Sequence, residues 1–342
     1  MTCGTATPAP PRLGPDGWRL FAARALRMFA YGFLSIGLVL YLTELGLSES
    51  RIGLIFGLAL WGDVLVSLWI TTHADRLGRR KMLLLGSSLM LLAGVAFGLT
   101  DHFVLLALAA AIGVVSPSGN EIGPFLPIEQ SALSQVIDPR KRTAVVAWYN
   151  LVGSLATAAG ALAAGVLVSW LQRRGVAKLD AYRCVIVGYS AAGLGMAGLF
   201  VGLRRRVEAP LGEVNNAAKR LLGLHKSKRT VLLLALLFSL DAFAGGFVIQ
   251  SILAAWFHRR WGLDEAWLGS IFFGANVLAG FSALAAGWLA GRIGLVNTMV
   301  FTHIPSNVLL ILVPLMPQAG WAVAVLLMRF AISQMDVPTR QS

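Results

Sequence analysis

Charge is scarce in this chain. Only 13% of its 342 residues are Asp, Glu, Lys or Arg, against 57% hydrophobic, and mean hydropathy is +0.72. A soluble domain carries roughly 25% charged residues to clothe its surface. A set of water-facing domains is therefore excluded, and lipid must be the solvent. Cysteine is scarcer still: Cys3 and Cys184 alone make neither a disulfide framework nor a thiolate metal site. The five histidines, His73, His102, His225, His258 and His303, show no ligand spacing. There is no phosphate-binding glycine loop and no set of paired Asp or His at binding spacing, so a membrane enzyme is excluded and no cofactor is expected. The first 17 residues are polar and Pro-rich without a small-residue cleavage site. They read as a cytoplasmic tail rather than a signal peptide.

What the chain does have is apolar length. A helix crosses the hydrocarbon core with about 20 apolar residues. Ten such runs lie between turn signals, at 18–43, 51–72, 82–100, 103–126, 143–170, 182–203, 230–257, 266–290, 295–316 and 319–338. The expected fold class is thus an all-α membrane protein of ten transmembrane helices, in which the 37 glycines allow close helix approach. Span four is irregular, because SPSGNEIGPFLPIEQ interrupts it with glycine, proline and carboxylates. Broken backbone at membrane depth is tolerated only inside protein or along a wet cavity.

The net charge of +13 comes from short basic clusters between the runs, with no basic-and-aromatic face, so nucleic acid is not an expected partner. The clusters orient the chain instead. With the N-terminus inside, cytoplasmic segments hold twenty-one Lys and Arg and external ones seven, a clear positive-inside vote. The polar stretch 204–229, with eight basic residues, joins six spans (18–203) to four (230–342) and is the one domain linker.

The second half echoes the first. Phe29–Phe33 matches Phe243–Phe247 at an offset of 214, and GLSESRIGLIF from Gly46 matches GLDEAWLGSIF from Gly262 at 216. Arg76-Leu-Gly78 matches Arg292-Ile-Gly294, again at 216, and Pro127–Ser131 matches Pro338–Ser342 at 211. Parallel repeats about an axis along the membrane normal are one way to build a rocking transporter.

The segment Thr71-Thr-His-Ala-Asp75-Arg76-Leu-Gly78-Arg79-Arg80 resembles the major facilitator superfamily signature G-x-x-x-D-R-x-G-R-R, with Thr71 in place of the leading glycine. Gly287–Gly294 resembles its weaker second copy. The resemblance covers the chain from span one onwards and implies a two-half bundle of twelve spans, so two spans would be missing and a truncated product is expected. It implies secondary transport of a small solute by alternating access in the plasma or inner membrane, by a monomer, with protons as coupling ion. The alternative is a truncated, non-transporting membrane protein that acts as an interaction partner or has no activity.

The same resemblance implies a gating role for Asp75, Arg76, Gly78, Arg79, Arg80, Arg142 and Arg292, with Asp75 latching the halves through a helix N-terminus. The bland alternative is a solvated loop charge. Charges within spans cost several kcal/mol unless paired or hydrated, and Arg27, Asp63, Glu121, Glu129, Asp241, Arg329 and Asp336 are the candidates for a substrate or proton pathway. All but Asp63 belong to spans one, four, seven and ten, which the resemblance places around a central cavity. Arg27 and Asp241 are equivalent in the repeat, as are Glu129 and Arg340, with opposite signs. They are expected to face each other across the axis, or else to form static bridges. Glu121 is the first expected proton carrier and Asp241 the second. Asn150, Gln250 and Asn276, with Tyr31, are neutral candidates on the cavity side. Finally, Ala156–Gly165 keeps two glycines of the family's antiporter pattern G-x-x-x-G-P-x-x-G-G, a slight lean to efflux that a small-residue packing face explains equally well.

Overall fold

The computed structural model describes residues 13–116, 118–119, 123–137, 142–204, 207–208 and 248–335, with isolated positions between 233 and 240. Eleven helices are described: α1 (Pro15–Glu44), α2 (Glu49–Leu77), α3 (Arg79–Leu99), α4 (Phe103–Ile112), α5 (Phe125–Val136), α6 (Arg142–Arg173), α7 (Lys178–Val201), α8 (Gln250–Trp261), α9 (Glu265–Ile293), α10 (Leu295–Leu312) and α11 (Ala319–Ser333). Seven are long and apolar enough to cross a membrane, while α4 and α11 are shorter apolar helices. Each of the ten apolar runs holds described helix, although run seven is described only from its C-terminal part, in α8.

Span four departs from the prediction. Helix stops at Ile112, and resumes at Phe125 to run to Val136, ten residues past the predicted end. The break is chemical: Gly119 and Gly123 take φ of +68° and +97°, which side chains rarely adopt. The extension escaped hydropathy because it carries Glu129, whose side chain is buried against protein.

The turns carry the repeat. Gly78 ends α2 at φ +103° and Gly294 ends α9 at +86°, and their amides donate to Ala74 O and Ala290 O, both at 3.0 Å. Ser48 caps α2 by accepting from Arg51 N, and Asp264 caps α9 by accepting from Trp267 N at 2.8 Å. Side-chain oxygens thus cap the same position of both copies.

Short turns make successive described spans alternate within each half between the face where α1 begins and the opposite, far face, and the Glu49–Arg259 contact sets the C-terminal end of α8 at that far face. In the first half α1 packs on α6 and α7, α3 on α7, and α2 on α4, while α9, α10 and α11 pack together in the second. Helix α1 is enclosed nearly all round, with Leu20, Tyr31, Ile36 and Tyr41 at 2% exposure or less. Elsewhere large apolar side chains face outwards, among them Trp61, Leu65, Leu92, Val187, Phe301 and Ile311, which lipid would cover. The halves meet chiefly along α6 and α9. Small residues set that crossing: a Cβ at Gly165 would stand 2.2 Å from Glu265 O, and one at Gly269 2.8 Å from Ala161 O.

Candidate functional site

The most deeply buried ion pair among the described residues joins α1 to α5. Arg27 Nη1 and Nη2 donate to Glu129 Oε1 and Oε2, each at 2.7 Å, and both side chains have no exposure. Parallel two-point contact is the strong form of a guanidinium–carboxylate pair. The Tyr149 hydroxyl, from α6, donates to Glu129 Oε2. Arg27 lies 4.8 Å above the Phe125 ring, and Arg24 lies 4.3 Å above the Tyr149 ring while donating to Asn150 Oδ1 at 3.2 Å. Two arginines of α1, spaced one turn apart, thus close on one carboxylate and one phenol at the junction of α1, α5 and α6. The sequence leaves Arg27 and Glu129 either facing partners across the axis or in static bridges; in the structure they pair with each other.

The break beside this centre is held from two directions. On α2, Asp63 Oδ2 accepts from Gly123 N at 3.2 Å and Oδ1 accepts from Ser67 Oγ at 3.2 Å. At the seam between the halves, Gln250 Nε2 donates to Ser35 Oγ at 2.7 Å, and Gln250 Oε1 accepts from Asn276 Nδ2 at 3.2 Å. Asn276 also donates to Phe272 O at 2.8 Å, and Ser35 to Gly32 O at 2.8 Å. Gln250 and Asn276 are both buried and, with Ser35, form a chain of hydrogen bonds that crosses from one half to the other.

Further contacts tie the far ends of the halves. Arg259 of α8 pairs with Glu49 of α2. Glu265, 3% exposed at the start of α9, accepts from Tyr182 Oη at 2.6 Å and from Gln172 Nε2 at 3.3 Å. Ser169 Oγ accepts from Ala266 N at 3.0 Å. Glu49 and Arg259 also line a cavity of about 270 Å³, whose other walls include Val39, Ile52, Phe56, Ile252 and Trp256.

At the near face, Asp75 is exposed and pairs with Arg79 Nε at 2.8 Å. The first amides of α3 are taken by Glu208 instead, with Arg79 N to Oε2 at 2.6 Å and Arg80 N to Oε1 at 3.3 Å. Arg79 Nη1 also donates to Val207 O at 3.3 Å, so the segment after α7 is bound to the signature turn. Arg76 is exposed, and Arg292 lies 4.0 Å over the ring of Trp288 in its own half. Arg329 is half-buried and 5.0 Å over the Phe330 ring, its Nε without a hydrogen-bond partner among the described residues. Glu121, Asp241, Asp336, Arg340 and the Arg142 side chain lie outside the described residues.

Sequence reading missed Tyr149, Glu208, Glu265 and Tyr182. Only Glu265 carried a usable signal, as the repeat partner of Glu49.

Comparison with known proteins matches this arrangement to one family. The family model of the Major Facilitator Superfamily matches residues 20–339. An uncharacterized membrane protein of Saccharomyces cerevisiae is 29% identical over 351 residues, covering 94% of this chain and 78% of that one. Among solved structures, a bacterial homolog of the human lysosomal transporter Spinster superposes with a TM-score of 0.67 at 18% identity, over 95% of this chain and 73% of that one. A D-xylose–proton symporter gives 0.64 at 17%, over 94% and 79%. A bacterial homologue of the iron transporter ferroportin gives 0.63 at 15%, over 95% and 81%. At such identities these structures speak for the fold.

Proposed function

Because the chain belongs to the Major Facilitator Superfamily, we propose that this membrane transporter carries a small solute by alternating access, coupled to protons, with Glu129 as the group that takes up the proton. The observation behind this reading is the Arg27–Glu129–Tyr149 centre, a fully buried carboxylate held by a guanidinium and a phenol. Protonation of Glu129 removes its negative charge and turns the two-point ion pair with Arg27 into a contact between a guanidinium and a neutral acid. Bonds between two ionised groups are roughly twice as strong as neutral ones, so the α1–α5 contact is stable in one protonation state and weakened in the other. That difference is what a coupling ion needs in order to bias a two-state bundle.

The orientation adopted is N-terminus in the cytoplasm, from the positive-inside balance, which makes the far face external. The polar contacts gathered there then correspond to a bundle shut on the outside. Export draws no support from the antiporter-like stretch, since Gly160 abuts Phe29 O of α1 and Gly165 abuts Glu265 O of α9. Its small residues are accounted for by packing.

The test is solute-driven proton movement. Full-length protein in phosphatidylcholine vesicles with an internal pH dye is exposed in turn to neutral, cationic and anionic solutes. The wild type is expected to move protons with at least one class, and the sign of the pH change gives symport or antiport. Glu129→Gln should abolish the proton signal while exchange of labelled solute persists. Proton movement at the wild-type rate in that variant would remove Glu129 from the mechanism.

A further inference from the structure

Gln250 stands on the second half, yet its side chain binds α1, which carries Arg27, and lies beside the break that leads to α5, which carries Glu129. Its Nε2 binds Ser35 of α1, eight residues and about 12 Å of helix rise from Arg27. Its Oε1 would be 3.3 Å from a Cβ at Gly119, and Ser35 Oγ 3.4 Å from it, so both lie beside the apex of the break. Beyond that apex the chain passes Gly123, pinned by Asp63, and enters α5 with Phe125 and Glu129. Gln250 is itself 6% exposed and tied by Asn276 to α9. One amide therefore meets α1 and the break of the first half and α9 of its own half at once.

We propose that Gln250 is the positioning residue that couples the rocking of the halves to the Arg27–Glu129 centre, through Ser35 on one path and Gly119 and the break on the other. The inference rests on Glu129 being the proton-carrying group. When the far ends part, α8 withdraws Gln250 from α1 and from the break together. The described residues of the break, among them Gly119 and Gly123, lie outside helix and link α4 to α5. Segment α5 then shifts against α1 and the Arg27–Glu129 contact changes. In reverse, loss of that contact on protonation is felt at Gln250. Among the described contacts of this assembly, Arg24 and Arg27 face it from α1, Tyr149 from α6 and Asp63 from α2. From α3 it is Gly86 that meets Phe125, while Arg79 is engaged with Asp75 and Glu208.

A carrier whose halves rock regardless of its proton site leaks protons without solute, and this can be read before the solute is known. Full-length protein is placed in phosphatidylcholine vesicles containing a pH dye, a pH step is imposed, and its decay is followed. Wild-type vesicles should hold the step. Gln250→Met, which keeps the bulk and drops both hydrogen bonds, should speed the decay about tenfold, the factor carried by one or two net hydrogen bonds. Ser35→Ala should do so more weakly and serves if Gln250→Met does not fold. Adding Glu129→Gln to either should make the vesicles tight again. Leu253→Ala, a packing change on the same helix, should not leak. The inference is overturned if Gln250→Met and Ser35→Ala are both as tight as the wild type, if the double variant still leaks, or if Leu253→Ala leaks equally. Failure of the parent reading shows elsewhere, as solute-driven proton movement that survives Glu129→Gln alone.

Discussion

At the scale of the residue, the Arg27–Glu129 pair makes an asymmetric prediction. Truncating one member of a buried pair costs about 3–5 kcal/mol, whereas an apolar pair of similar volume can be neutral or stabilising. The two truncations are not equivalent. Arg27→Met leaves a carboxylate that can relieve itself by binding a proton. Glu129→Leu leaves a guanidinium, which cannot shed one. In thermal melts of the purified protein, Glu129→Leu is therefore expected to lower the midpoint more than Arg27→Met. The double variant Arg27→Met/Glu129→Leu should recover most of the loss. A double variant no more stable than its worse parent would mean that Arg24, Tyr149 and Asn150 depend on the charge pair for their own positions.

At the scale of the element, α3 begins in a way its own sequence does not explain. The residue before Arg79 is Gly78, which has no side chain to cap with, so the first amides depend on Glu208, about 130 positions away. An anionic side chain at a helix N-terminus contributes about 1 kcal/mol. Glu208→Ala should accordingly speed hydrogen exchange at the Arg79 and Arg80 amides about fivefold, whereas Asp75→Ala, which removes only the exposed partner of Arg79, should leave those amides protected. The case also marks where sequence reading stops. Spans, the Gly78 and Gly294 turns and the repeat were legible because hydropathy and positive-φ glycines are local properties. The interruption of span four was legible from Gly119, Gly123 and Pro124. Its continuation as α5 was not, because an inward-facing acid and an exposed one look alike in a hydropathy window. Arg27 and Glu129 could be flagged as charges in apolar surroundings. Their mutual pairing is a contact across 102 residues, and the repeat pointed instead to partners in the other half.

At the scale of the whole molecule, the two copies of the repeat close on each other through equivalent residues. Glu49 and Glu265 each occupy the first position of a helix, after a side-chain cap, and each reaches into the opposite half. Symmetry of position has not produced symmetry of environment. The Glu49–Arg259 contact is open to solvent, at 80% and 47% side-chain exposure, whereas Glu265 is buried and bound by neutral donors. Salt should therefore distinguish them, since at about 1 M the screening length falls to roughly 3 Å for exposed charges and buried contacts are screened much less. Spin labels at Arg174 and Trp267, in a background lacking Cys3 and Cys184, report the separation of the far ends. Tyr182→Phe should add a longer-distance population at any ionic strength, because it deletes a buried hydrogen bond worth about 1 kcal/mol or more when the acceptor is charged. Raising the salt should enlarge that population further, and Arg259→Ala should make the distances insensitive to salt. If instead Tyr182→Phe leaves the distances unchanged, the seam of Gly165 and Gly269 holds the far ends by packing alone, and the paired glutamates are passengers of the repeat rather than its clasp.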